Sequence, residues 1–254
     1  MSIFNITFSP TGGTKKVADI LSAALDSDVI DVDLCEKTYD STFIHFNTND
    51  ICLFAVPSFG GRVPLTAINR IKHMTGKGAR VIAVVVYGNR EQEDTLFELC
   101  DTLKSVNFNI IAGVEAIAEH SVIRKFAANR PDAKDRAELL EISAKIADKL
   151  ENMTVVENIN IPGNTPYKDR GNNGMKPAAN ENCTKCGICS EKCPVGAISA
   201  DDPSSLGNDN CISCMRCISV CPSNARKLDS KLEAFLTEKL SAVCSERKTN
   251  KVYL

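Results

Sequence analysis

No stretch of the 254-residue chain is long and apolar enough to cross a bilayer, and its strongest apolar runs, such as "VIAVVVY", are of strand length. The N-terminal "MSIFNITFSP" has neither the charged n-region nor the apolar core of a secretory signal, so a soluble, cytoplasmic protein is expected. Charge of one sign is also missing. Thirty Lys and Arg against 32 Asp and Glu leave a net charge of −2, which argues against a nucleic-acid partner. Neither a G-x-x-x-x-G-K-[ST] loop nor a G-x-G-x-x-G fingerprint occurs, so the two common nucleotide motifs are excluded. No nucleophile triad or carboxylate pair points to a particular reaction. The rest is ordinary for a globular protein, with 43% hydrophobic and 24% charged residues. The length suits one α/β domain and a smaller module.

Residues 1–153 alternate between two periods. "IFNITFS", "VIDVDL", "DICLFAVP", "ARVIAVVVYG" and "FNIIAGVEA" read as five strands. Between and after them come helical stripes: Val17, Ile20, Leu21, Ala24 and Leu25 from about Thr14; a helix after Pro64; Leu96, Leu99, Cys100 and Leu103; and a last helix capped by Asp132 and reaching Asn152. Alternation of this kind predicts a doubly wound parallel sheet covered on both faces, and five strands suit the flavodoxin-like order 2-1-3-4-5. Residues 154–180 break the pattern. Six Asn, three Pro and three Gly in 27 residues predict a linker or strap. Residues 227–254 contain an amphipathic helix, "DSKLEAFLTEKLSAVCSE". Ser230 and Glu233 have capping-box spacing, and Leu232, Phe235, Leu236, Leu240 and Val243 form a stripe expected to dock on the rest of the protein.

The 12 cysteines are unevenly placed, with eight of them between residues 183 and 221. "CTKCGICSEKCP" and "CISCMRCISVCP" are one phrase, C-x2-C-x2-C-x3-C-P, repeated at an offset of 28 residues. In a chain expected to be cytoplasmic, such spacing argues for metal rather than disulfides. Paired C-x2-C also suits zinc, but zinc leaves the third and fourth cysteines and the proline unexplained. Residues 181–226 resemble the bacterial-type ferredoxins that bind two [4Fe–4S] clusters. In that family the fourth cysteine of each phrase crosses to the other cluster. The resemblance therefore implies one cluster on Cys183, Cys186, Cys189 and Cys221, and a second on Cys211, Cys214, Cys217 and Cys193. This part is expected to be a small α+β ferredoxin-like domain.

A redox module of this kind raises the interest of "SPTGGTKK" at the end of the first strand. Ser9, Thr11, Gly12, Gly13 and Thr14 resemble the flavodoxin phosphate loop, [ST]-x-T-G-x-T. Hydroxyls and backbone N–H groups there surround the FMN phosphate at a helix N-terminus. An ordinary strand–helix turn capped by Thr14 is the other reading of the same residues. Two further loops, "PSFGGRVP" and "YGNR", end the third and fourth strands, where this fold binds its ligands. By resemblance, the backbone of Pro57, Ser58, Phe59, Gly60 and Gly61 would face the flavin N5, and Tyr87, Gly88, Asn89 and Arg90 its pyrimidine side. Phe59 and Tyr87 are candidates for ring contact, although Tyr87 also reads as a core side chain. The chain departs from the flavodoxin pattern in having no Trp and in placing Arg62 and Arg90 where acidic residues are usual. These arginines would face the flavin, bind a phosphate of a nicotinamide nucleotide, or sit in solvent. "EHS" (119–121) and "NRPD" (129–132) follow the fifth strand and are placed to border the flavin; His120 reads equally as a structural histidine and is assigned no catalytic role.

Residues 1–226 together resemble the flavodoxin–ferredoxin fusion proteins of anaerobic microbes. The resemblance implies FMN and two [4Fe–4S] clusters in one electron-transfer protein, linking one- and two-electron partners. Those partners would be redox proteins or a small-molecule donor or acceptor. A flavin-dependent reductase using NAD(P)H or a small substrate, with the clusters as an internal relay, is the alternative.

Overall fold

The structure is a computed structural model that describes residues 2–25, 28–155, 158–171 and 174–254. Residues 156–157 and 172–173 of the expected linker lie outside the described residues. Five strands form the parallel sheet: β1 (Ile3–Thr7), β2 (Val29–Asp33), β3 (Ile51–Pro57), β4 (Arg80–Tyr87) and β5 (Asn109–Ile117). Their order is β2-β1-β3-β4-β5, the flavodoxin-like arrangement. Helices α1 (Gly13–Ala23) and α4 (Ala133–Asn152) belong to one face, α2 (Leu65–Lys72) and α3 (Thr95–Ser105) to the other.

Successive strand residues feed opposite cores. Leu53 and Ala55 pack with Val17, Leu21, Leu139 and Ile142, whereas Phe54 and Val56 pack with Ile68, Leu96 and Leu99. Because both faces are covered, β3 and, after Arg80, β4 are runs of apolar residues rather than alternating ones. No α-helix joins β2 to β3. Phe46 fills that part of the core instead, meeting Phe4 and Phe108 edge-on at 5.0 and 5.1 Å. Cys35, Cys52 and Cys100 are buried in the same core, where burial pushes their thiols above the ordinary value and leaves them inert.

The cysteine-rich part contains α5 (Ile188–Glu191), α6 (Arg216–Ser219) and a two-stranded antiparallel ribbon of β6 (Ala178–Ala179) and β7 (Arg226–Lys227). Strand β6 comes from the end of the expected linker. The sequence repeat is also a repeat of backbone geometry. Left-handed residues recur 28 apart, at Lys185 and Ser213, Gly187 and Met215, and Gly196 and Asn224. The amides of Ala197 and Ala225 donate to the sulfurs of Cys193 and Cys221 at 3.2 and 3.3 Å.

Three features differ from the sequence expectations. The sheet has six strands, because β8 (Lys251–Tyr253) adds antiparallel to β5. Three residues are too short to show a period, and the pairing is held by contacts distant in sequence: Tyr253 Oη donates to Glu115 at 2.6 Å. The last helix, α7 (Ser230–Cys244), is capped by Asp229 rather than by Ser230, with the carboxylate accepting from the amides of Lys231 and Leu232. Its stripe is only half used. Leu236 and Leu240 pack on Ile123 and Phe126, but Phe235 is 60% exposed and Val243 50%. Asp132 caps α4 as expected, in a capping box with Asp135.

The polar strap is ordered by polar partners. Helix α3 and its N-cap present Asp94, Glu98 and Asp101 at one-turn spacing. Asn164 and the Lys168 amide donate to Asp94, Tyr167 Oη to Asp101 at 2.6 Å, and Arg170 to Glu98. Ile161 adds an apolar anchor in the core.

Candidate functional site

Strand ends β1, β3 and β4 carry the three glycine-bearing loops to one edge of the sheet, with the segment after β5 between them. At the first loop Gly12 has a φ of +89°, a conformation open to glycine, and Gly13 begins α1. The Ser9 hydroxyl accepts from the Lys15 amide at 2.8 Å, so Ser9, not Thr14, caps the helix by side chain. Among the described residues the backbone N–H groups of Thr11, Gly13 and Thr14 meet no acceptor. A Cβ on Gly13 would lie 3.1 Å from the Ala118 Cβ, which places this loop against the segment after β5.

The second loop is a two-residue turn. Phe59 and Arg62 exchange backbone bonds of 3.0 and 3.3 Å across Gly60 and Gly61, whose φ values are +62° and +86°. Positive φ at both central positions is the hairpin geometry that selects Gly-Gly. At the third loop a Cβ on Gly88 would fall 2.6 Å from the His120 Cα, so this loop is pressed onto the 118–122 segment.

The second and third loops, with the 120–122 segment, border a cavity of about 220 Å³. Ser58, Phe59, Gly60, Tyr87, Gly88 and Arg90 line it, together with Glu91, His120, Ser121 and Val122. Its roof comes from distant sequence: Leu236 and Leu240 of α7, Gly171 and Met175 of the strap, and Ile212 and Ser213 between the cysteines. Pro57, Gly61 and the Ser9–Thr14 loop are outside this wall. Burial pushes the Tyr87 phenol up, keeping it neutral.

Two expected site residues are spent elsewhere. Asn89 is buried with a φ of +66°; its amide donates to the carbonyls of Cys244 and Glu246 at 2.8 and 2.7 Å, and its oxygen accepts from Arg130 and the Lys248 amide. It fastens the C-terminal tail. Arg62 is paired bidentately with Glu98 and stacked on Tyr167 at 4.8 Å, so it belongs to the strap and not to the cavity. Arg90 does line the cavity, with Glu93 at 2.8 Å. Burial opposes ionisation of Glu93, but bonds from Arg90 and Lys168 outweigh it and hold the carboxyl below its ordinary value.

His120 has more to do than its sequence context showed. Its Nδ1 accepts from the amides of Val122 and Ile123 at 3.2 and 3.0 Å, which places the proton on Nε2. Burial and the nearby Arg90 push its pKa down to about 4. The cavity wall therefore carries a neutral imidazole N–H. Because the unfolded chain takes up the proton near pH 6.5, this group costs no stability above that pH and destabilises the fold as pH falls toward about 4. His120→Asn is expected to remove up to about 3 kcal/mol of stability loss between pH 7 and pH 4. Urea midpoints across that range measure the difference in slope.

The eight clustered cysteines separate into two groups. Cys183, Cys186, Cys189 and Cys221 line one cavity, and Cys193, Cys211, Cys214 and Cys217 line another. Each fourth cysteine has crossed to the other phrase. Among the described residues no three His, Cys, Asp or Glu side chains form a group that could hold a single metal ion. Ile212 lines both the second cysteine cavity and the loop cavity.

Comparison with known proteins adds to this geometry. Residues 182–225 match the family described as a 4Fe-4S dicluster domain. The chain is similar to oxidised flavodoxin 1 from Bacillus cereus, with 12% identity over 61% of this chain and 100% of that one, TM-score 0.40. It is similar to a Streptococcus pneumoniae TIGR4 flavodoxin at 18% identity over 58% of this chain and 99% of that one, TM-score 0.39. An azoreductase from Bacillus anthracis strain Sterne matches at 10% identity over 59% of this chain and 100% of that one, TM-score 0.38. No curated protein matches. The dicluster match and the flavodoxin-like strand order agree with a flavodoxin–ferredoxin fusion. An iron–sulfur domain joined to this fold supports a redox role. Among the described residues no helix is long and apolar enough to cross a membrane.

Proposed function

We propose that the chain is an electron-transfer protein that holds FMN and two [4Fe–4S] clusters. The observation that carries this reading is the sorting of the eight cysteines into two cavities, one of which shares Ile212 with the loop cavity. Cys183, Cys186, Cys189 and Cys221 hold one cluster; Cys193, Cys211, Cys214 and Cys217 hold the other. The open N–H groups and hydroxyls of Ser9–Thr14 take the FMN phosphate. Phe59, Tyr87 and the backbone of Ser58, Gly60 and Gly88 border its ring, beneath the roof of Leu236, Leu240 and Ile212.

FMN supplies one- and two-electron chemistry and each cluster supplies one-electron chemistry. The residues of the chain offer these centres separate sites, with Ile212 between the loop cavity and the nearer cysteine group. Gly13→Val crowds Ala118 and blocks the backbone approach to the phosphate. It is expected to weaken FMN binding about ten- to a hundredfold while iron content stays at the wild-type value. Flavin fluorescence titration and iron assay on the same preparation check this; equal loss of iron contradicts separate sites.

A second reading, a flavin-dependent reductase, is favoured by the His120 Nε2–H and Arg90 on the cavity wall, which suit a polar or anionic substrate. Bleaching of the flavin by NADH or NADPH within seconds, without oxygen, selects it over the carrier.

A further inference from the structure

The two halves of the cysteine module repeat in backbone geometry but differ in one buried charge. Five residues after each crossing cysteine stand Ile198 and Arg226. Ile198 is an ordinary buried apolar side chain. Arg226 is 2% exposed and lines the cavity of Cys183, Cys186, Cys189 and Cys221. Its guanidinium donates to the carbonyls of Pro177 at 3.0 Å, Ser205 at 2.7 Å and Pro203. All three acceptors are neutral, its Nε is buried without a partner, and the one carboxylate shown to share its charge, Asp202, is exposed to solvent and not within ion-pair distance. An uncompensated buried cation is expensive, and a donor left over beside four cysteines points at what those cysteines hold.

The second cavity also has an arginine. Arg216 lines it and likewise has a buried, unpartnered Nε, but Asp33 at the end of β2 sits 3.6 Å from its guanidinium. The sheet domain therefore offsets the arginine that lines the second cavity, whereas Arg226, which lines the first and whose charge also reaches Cys217, has only the exposed Asp202. The offset group is the one that shares Ile212 with the loop cavity.

Resting on the cofactor assignment above, we propose that Arg226 is the internal counter-charge of the centre held by Cys183, Cys186, Cys189 and Cys221, and makes it the higher-potential of the two. Reduction adds one negative charge to a centre already bounded by four thiolates. A cation fixed in a low-dielectric interior favours the reduced form. With both centres loaded, one electron given up by the centre beside Ile212 would reduce the Arg226 centre by one. Electrons arriving from the loop cavity thus come to rest at the end of the path away from it.

The test is a redox titration of the full-length reconstituted protein, followed by electron paramagnetic resonance. Wild type is expected to show two separated one-electron steps. Arg226→Met lowers the upper step at least tenfold in its reduction equilibrium, about 59 mV for one electron, and Arg226→Lys lowers it much less. Should Arg226→Met not hold iron, Asp33→Asn reads the same balance from outside the module: it frees the Arg216 charge, raises the lower step and narrows the gap. Identical titrations for wild type and Arg226→Met at full iron content overturn the proposal. So does a Lys variant that shifts as far as Met, or an Asp33→Asn variant with an unchanged gap. Iron assayed on the same samples keeps the two questions apart. About eight irons with no dependence on Arg226 rejects only the counter-charge, whereas about four or none in wild type rejects the two-cluster assignment.

Discussion

Replacing Cys189 and Cys221 together by alanine is expected to leave about four of about eight irons, whereas replacing Cys189 and Cys217 leaves almost none. Both pairs take one cysteine from each sequence phrase, so linear order cannot distinguish them. The structure does, because Cys189 and Cys221 line the same cavity while Cys217 lines the other. The first double variant disables one centre twice; the second disables both once. A cubane needs its fourth thiolate, and the fourth comes from the neighbouring phrase. The backbone that carries Cys193 and Cys221 across is fixed by the paired bonds from Ala197 and Ala225 and by the left-handed turns at Gly196 and Asn224. Iron assay and visible absorption after anaerobic reconstitution check the result, with each single variant as the reference. Equal iron loss in the two double variants means that the cysteines do not cross.

Asp135→Ala is expected to destabilise the sheet domain by about 3–5 kcal/mol, because it strands a buried cation. Asp135 is fully buried and Arg130 nearly so, and the pair is bidentate, with Nε–H donating to Oδ2 at 2.8 Å. Burial of Asp135 opposes its charge, but the bonds from Arg130 and the Asp132 amide prevail and hold the carboxyl below its ordinary value. The same Arg130 reaches Asn89 and the Lys248 carbonyl, so the pair also fastens the tail that supports β8. Arg247 bonds Asp132 at 2.7 and 2.9 Å and reaches Asp135 at 3.1 Å, yet its side chain is 38% exposed and Asp135 keeps its bidentate Arg130 without it. Arg247→Ala is therefore expected to change stability by no more than about 1 kcal/mol. Urea unfolding followed by circular dichroism compares the two, and similar losses would mean that burial does not decide the difference.

The parts legible in the sequence are those set by local period and spacing. Strands β3 and β4 are legible because β3 and residues 81–87 of β4 are apolar runs and the glycine-bearing loops punctuate them. The cysteine spacing, repeated at 28 residues, carries the resemblance to two-cluster ferredoxins, and it is that resemblance which implies the two-group arrangement. What escaped was decided by partners far away in the chain. "KVY" reads as nothing until Glu115 and Tyr253 meet. Asn89 sat in a loop expected to border the ring, and only the Cys244 and Glu246 carbonyls show that its amide is taken. The Asn-rich strap looked poor in anything to bury, and its order comes from the acidic face of α3. His120 lies three residues after β5, at the ligand-binding edge of such a sheet, where its place beside the site is legible but its tautomer and lowered pKa are not; Arg226 replaces an apolar residue of its own internal repeat, a signal that only its burial gives meaning.

The most direct test of the account is an anaerobic reductive titration of the reconstituted protein, counting electron equivalents per chain. FMN with two clusters requires about four: two for the flavin and one for each cluster. About four equivalents, with both flavin and iron–sulfur absorption bleaching, is the predicted result. About two, with no flavin spectrum, would contradict it and reduce "SPTGGTKK" to a turn between a strand and a helix.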